Sequence, residues 1–209
     1  MRALIIYCHP SPQSFTAAVR DTVVERLQSA GAETNIIDLY ANDFDPVLSR
    51  EDWEGYLDTD TNTAKVTADV AALQWADTLI FIYPTWWYGL PALLKGWLDR
   101  VLLPEVAFHM PRADGETIRP GLTHITGLGV FTTCGASWWL TRLVGAPGKR
   151  TLMRGIGLLC NRRKRTTFAA LYLMDTTSAE QRARHLQKVA SKVDRFAASP
   201  GRSKLRAQA

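Results

Sequence analysis

The chain has 209 residues, of which 46% are hydrophobic and 22% charged, and its formal net charge is +5. That length supports one domain with a sizeable core, and the composition excludes disordered, collagen-like and coiled-coil chains. Three cysteines, Cys8, Cys134 and Cys160, lack CxxC spacing and leave one unpaired in any disulfide scheme, which argues against a metal cluster and for a reducing, cytoplasmic setting.

Residues 2–8 are an apolar run, and Phe15, Val19, Val23 and Leu27 then recur every four residues, giving a strand, a loop over 9–14 and an amphipathic helix. Gly31 supplies the helix stop. Residues 32–39 read as a second strand, and 42–63 as a long, polar surface connection with a helical turn near Glu51. A helix carrying Val66, Val70 and Leu73 precedes a third strand over 78–83. The next helix has Leu93, Leu94, Trp97, Leu98 and Val101 on one side and is closed by Pro104. Beyond a loop, residues 125–133 give a fourth strand, 149–159 a helix, 166–173 a fifth strand, and Ala183, Leu186, Val189 or Ala190, and Val193 mark a final helix.

Five strands alternating with helices predict an α/β fold, a three-layer sandwich around a five-stranded parallel sheet, because each parallel crossover needs a helix on a face. The order 2-1-3-4-5 is expected, in a single domain over 1–209 with a C-terminal tail from 198. Two uncharged stretches, 78–94 and 121–141, are interrupted by prolines, glycines and threonines, so buried parallel strands explain them better than a membrane span. Charge is uneven: residues 1–148 carry −7 and residues 149–209 carry +12, with four consecutive cations at 162–165. Such a basic segment could face a phosphorylated ligand, an acidic partner or nucleic acid, but it is ordinarily a solvated face, and without a binding motif the run is weak evidence for nucleic-acid recognition.

Ligand crevices in such sheets lie beyond the carboxyl ends of the strands, where strand order reverses. Here that selects three loops, after strands one, three and four. The first, HPSPQSFT, places Ser11, Gln13, Ser14 and Thr16 at a helix N-terminus, suited to an anion, although Ser14 serves equally as an N-cap. It is neither a Walker loop nor GxGxxG. The second, PTWWYGLP, has three adjacent aromatics that cannot all face one core, so some face a flat conjugated ligand or an interface. The third, TTCGASWW, offers small residues and hydroxyls that let a ring edge approach the backbone. Its Cys134 has no base at suitable spacing and reads as structural, and His109 and His185 read as surface or packing residues.

At these residues the chain resembles the NAD(P)H:quinone oxidoreductases of flavodoxin-like fold, through HPSPQSF, DLYANDFDPVLS at 38–49 and YPTWWYGLPALLKGWLDRVL at 83–102. TTCG at 132–135 is similar to that family's TTGG. The resemblance implies a bound flavin, FAD or FMN, with NAD(P)H as co-substrate and a homodimer with active sites at the interface. Hydride then passes by way of flavin N5 to a quinone or another aromatic acceptor, in a ping-pong cycle without a side-chain nucleophile. Carried over by position, His9, Ser14, Phe15 and Thr16 hold the phosphate side, and Pro84, Thr85, Trp86, Trp87 and Tyr88 contact the ring. Thr132, Thr133, Cys134 and Gly135 meet its pyrimidine edge, Arg182 reaches toward the dinucleotide, and Phe108, His109 and Met110 line the substrate pocket. Two departures stand out. Cys134 replaces the first glycine of the family pair, and the tyrosine and histidine that follow this loop in the better-known quinone reductases have no counterpart. An electron carrier and a flavin-binding regulatory subunit of a channel are the alternative readings.

Overall fold

The computed structural model describes residues 1–198; the tail expected from 198 therefore lies, from 199 onward, outside the described residues. Strands β1 (Arg2–Tyr7), β2 (Glu33–Asp38), β3 (Thr78–Thr85), β6 (Gly127–Cys134) and β7 (Arg165–Leu171) form one sheet in the order β2-β1-β3-β6-β7. Every pairing in that sheet is parallel. This is the anticipated order 2-1-3-4-5, counted over the strands of the main sheet.

The two central strands, β3 and β6, are buried along nearly their whole length, as apolar runs covered on both faces should be. Alternate side chains divide between two cores. Leu4, Ile6, Leu79, Phe81, Leu128 and Val130 face α3 (Thr67–Trp75) and α4 (Ala92–Val101). Ile5, Tyr7, Ile80, Ile82 and Phe131 face α1 (Phe15–Ser29) and α8 (Ala179–Ala198). The three-layer α/β architecture follows from this division.

The long connection after β2 contains the expected helical turn as α2 (Arg50–Glu54), opened by a capping box between Ser49 and Asp52. It is clamped onto α4. Buried Arg100 donates to the Asp45 carbonyl at 2.6 Å and lies 3.5 Å from the Asp52 carboxylate, while a Cβ on Gly96 would overlap the backbone of Pro46. Trp97, fully buried, donates its indole N–H to Asp69 at 2.7 Å. The two segments most similar to the quinone reductases thus pack against each other.

Three features depart from the sequence reading. A short hairpin, β4 (Phe108–His109) with β5 (Arg119–Pro120), occupies the connection after α4. The third loop is shorter than expected, because β6 runs through Cys134 and α5 (Trp138–Leu143) begins soon after it. The helix expected over 149–159 starts earlier, as α6 (Pro147–Arg150), continues as a π-helical stretch (Thr151–Ile156) and ends as α7 (Gly157–Leu159). Among the described residues no helix is long and apolar enough to cross a membrane.

Candidate active site

A cleft of about 550 Å³ opens beyond the carboxyl ends of β1, β3 and β6. His9 closes one end. Pro84, Thr85, Trp86, Trp87 and Tyr88 form one wall, and Thr133, Cys134, Gly135 and Ala136 form another. Met174 and Asp175, from a 3-10 turn after β7, complete the rim. Its volume lies within the range of small-molecule and cofactor pockets.

The aromatic wall is a tight turn. Gly89 N–H donates to the Trp86 carbonyl at 2.9 Å, and Trp87 and Tyr88 both have positive φ, 50° and 62°. Paired positive φ angles define a type I′ turn, which asparagine and glycine ordinarily occupy. Two bulky aromatics held there carry strain of order 1–2 kcal/mol each. Tyr88 is half-buried, whereas Trp87 is 95% exposed and stands over the cleft mouth.

The opposite wall is fixed by register. Parallel pairing sets Thr85 beside Cys134 and Tyr83 beside Thr132, and the Thr85 and Thr132 hydroxyls meet at 2.8 Å. The Thr16 hydroxyl, on a side chain only 2% exposed, meets that of Thr133 at 3.2 Å and ties α1 to β6. Thr16 and Thr132 therefore brace the walls, while Thr85 and Thr133 line the cleft. Ser14 caps α1, its hydroxyl accepting from Ala17 N–H at 3.1 Å. Neither Ser14, Phe15 nor Thr16 lines the cleft itself. Phe15 instead packs near the buried His185 ring, centroids 6.1 Å apart.

At the end of β1, His9 Nδ1 lies 3.0 Å from the Ser11 N–H and 3.1 Å from the Ser11 carbonyl; with the proton on Nε2 alone, Nδ1 accepts from that N–H, and when Nδ1 carries a proton it donates to that carbonyl. Burial lowers the His9 pKa, which favours the neutral form, while donation from Nδ1 to the Ser11 carbonyl acts the other way. Gly135 provides close backbone approach, since a Cβ there would stand 2.8 Å from Asp175 Oδ2. Cys134 is 4% exposed, with Sγ 3.6 Å from the Thr141 hydroxyl. Behind the cleft the Tyr83 phenol is fully buried, and desolvation raises its pKa.

Arg182 stands behind the rim. Its guanidinium donates to the Thr177 hydroxyl at 3.2 Å and toward the Met174 carbonyl at 3.5 Å, bracing the 3-10 turn. Phe108, His109 and Met110 lie on the β4 hairpin and are not part of the lining. There Glu105 accepts from Met110 N–H at 3.1 Å and pairs with His109 at 2.7 Å. Its pKa is lowered, first by His109 and then by the Met110 amide. Ala136, Met174 and Asp175 were not singled out by the sequence reading. The carboxyl-end rule, extended to the fifth strand, points to the last two.

Residues 1–195 match the family described as having the flavodoxin-like fold. The chain belongs to that family. It is 40% identical over 116 residues to the ribosyldihydronicotinamide dehydrogenase-like protein traD of Penicillium crustosum, covering 48% of this chain and 43% of that protein. It is 37% identical over 123 residues to NAD(P)H dehydrogenase [quinone] 1 of Cavia porcellus, covering 51% and 45% respectively. The matched segment thus spans about half the length of these relatives. Similarity to the structure of an NAD(P)H:quinone oxidoreductase from Methanothermobacter marburgensis extends over 96% of this chain and 98% of that one, with 25% identity and a TM-score of 0.79.

Proposed function

We propose that this protein is a flavin-dependent NAD(P)H oxidoreductase that passes a hydride to a quinone-type acceptor in a ping-pong cycle, as a cytoplasmic homodimer. The observation that carries this reading is the cleft at the switch point between β1 and β3. It is lined by aromatics and hydroxyls and contains no lysine or arginine. A planar, weakly charged heterocycle fits that donor set. The relatives' names, NAD(P)H dehydrogenase [quinone] and ribosyldihydronicotinamide dehydrogenase, support the substrate class.

In this reading FAD or FMN, when bound, supplies the two-electron chemistry. The protein's residues supply position. The Trp86–Gly89 turn holds one edge of the ring, and the Thr133–Gly135 backbone offers amides to its heteroatoms. The His9 Nε2–H offers a further donor to an oxygen. The first-turn amides of α1, at Phe15 and Thr16, have no partners within the helix and suit a phosphate lying just outside His9. Buried Cys134, bonded to Thr141, acts in packing rather than as a nucleophile.

A second copy of the chain would bring its Phe108–Met110 hairpin toward this cleft. Support for a cover over the mouth comes from the exposed Trp87, Trp138, Trp139 and Leu143, too much apolar surface for a lone wall. Sedimentation should give twice the chain mass; a monomer with full turnover would remove the hairpin from the site.

The reading is tested by anaerobic NADPH titration of flavin-reconstituted protein, followed at the visible flavin band. Bleaching at one equivalent per flavin is expected. A bound flavin that NADPH leaves oxidised points instead to a carrier or regulatory subunit, and failure to bind flavin overturns the assignment.

A further inference from the structure

A second cleft, of about 290 Å³, lies between α5 and the π-helical stretch. Arg142, Lys149, Arg150 and Arg154 line it, together with Gly145 and Met153, and no carboxylate does. None of the ion pairs formed among the described residues involves these four cations. Two of them rest on aromatic faces, which hold a cation without neutralising it: Arg142 lies 5.6 Å from the Trp138 ring and Lys149 lies 4.3 Å from Phe168. Arg150 and Arg154 have no such support.

The backbone is shaped to leave this charge open. Gly145 takes φ of +93°, and a Cβ there would lie 3.1 Å from Arg150 Nη1, so a side chain at 145 would crowd the guanidinium. Ala146 follows with a φ of 47°, an unfavourable conformation for a residue bearing a Cβ. The π-helical stretch departs from the ordinary ladder immediately after Arg150 and contains Arg154. Such stretches are rare and recur at functional sites. Four like charges around one small cleft repel each other, and an anion relieves that repulsion.

We propose that this cleft is a binding site for a phosphate dianion carried by a small molecule. Arginine forks match phosphate oxygens in bidentate geometry. The compact cleft suits a single phosphate or diphosphate group, whereas nucleic acid requires an extended basic track. The site adjoins the aromatic cleft. Tyr88, Ala146 and Lys149 share a narrow slot between the two, and Gly148 N–H meets the Tyr88 carbonyl at 3.4 Å. Two sources carry this chemistry: the 2′-phosphate of NADPH, or a separate phosphorylated metabolite.

The direct test is calorimetric titration of the full-length protein with pyrophosphate, which needs neither flavin nor turnover. Saturable binding is expected, weakened at least about tenfold in R150A/R154A and partly restored in R150K/R154K, where charge remains but the fork is lost. Both side chains are exposed, so an unchanged melting temperature is expected in each variant. No binding by the wild-type protein up to about 10 mM, or equal binding by R150A/R154A, overturns the site.

Steady-state kinetics then separates the sources, and only this arm rests on the oxidoreductase reading. A raised KM for NADPH with an unchanged KM for NADH identifies the coenzyme. Loss of pyrophosphate binding with both KM values unchanged identifies a separate phosphorylated ligand.

Discussion

The two clefts on either side of Tyr88 are built by opposite means. In the aromatic cleft the positions come from the sheet: parallel register aligns Thr85 with Cys134, and hydroxyl pairs lock Thr132 and Thr133. Its charged lining is one carboxylate, Asp175, with no lysine or arginine. In the basic cleft the positions come from two helices and a strained turn, and the charged lining is four cations with no carboxylate. The difference teaches that this fold presents a flat, weakly charged surface where strands end and a concentrated charge where helices meet. One chain can thus recognise a ring and an anion side by side.

The strongest way to break the comparison is at the wall the clefts share. A Cβ on Gly148 would meet the Gly89 backbone and the Tyr83 hydroxyl at 3.2 Å, so Gly148→Val forces α6 away from the aromatic turn. We expect a loss of about 2 kcal/mol, seen as a fall of about 6 °C in Tm, with weaker binding of both flavin and pyrophosphate. If Tm and both affinities stay as in the wild type, the clefts are not mechanically joined.

Charge in the basic half can be set against a base that stays neutral. His185, on α8, 6% exposed and packed toward Phe15 of α1, has its pKa pushed down to about 4, first by burial and then by Lys188. Its folded pKa lies below the unfolded value, so the unfolded chain binds the extra proton between about pH 6.5 and 4. Stability is therefore full above pH 6.5 and falls as the pH drops through this window, by up to about 3 kcal/mol. His185→Leu should flatten that part of the denaturation profile. An unchanged pH slope in the variant would remove His185 as the cause.

Trp87 sharpens the contrast from the aromatic side. Because it is so exposed, Trp87→Ala should leave Tm within about 1 °C yet weaken flavin binding about tenfold, read by fluorescence titration. Pyrophosphate affinity should not change. Equal flavin retention would exclude Trp87 from the ring site. The smallest effect is expected for Cys134→Ser, where the hydroxyl keeps a partner in Thr141. Destabilisation should be about 1 kcal/mol or less, with most turnover retained. An inactive variant that still holds flavin would contradict the packing role.

The alternation of apolar runs with four-residue periodicity made the parallel sheet and both helical layers legible, because a buried parallel strand has no other way to cover its two faces. The segment at 83–102 was recognisable as a block, but it does two jobs. Its first half forms the aromatic wall, while Gly96 and Arg100 clamp the 42–63 connection and Trp97 bonds Asp69 of α3. No local pattern separates those roles, since they depend on what packs opposite. The Thr16 hydroxyl turns inward to Thr133 for the same reason.

By itself, then, the sequence determined the fold class, the alternation of strands and helices and the loops that follow each strand, since periodicity and turn residues act over a few positions. Only the tertiary structure decided which side chains face the cleft, that Met174 and Asp175 join its rim, and that four cations spread over 142–154 converge without counter-charges. Those outcomes depend on sheet register, on a π-helical turn and on positive φ angles at Trp87, Tyr88 and Ala146. Each is imposed by packing against distant residues rather than by the local chain.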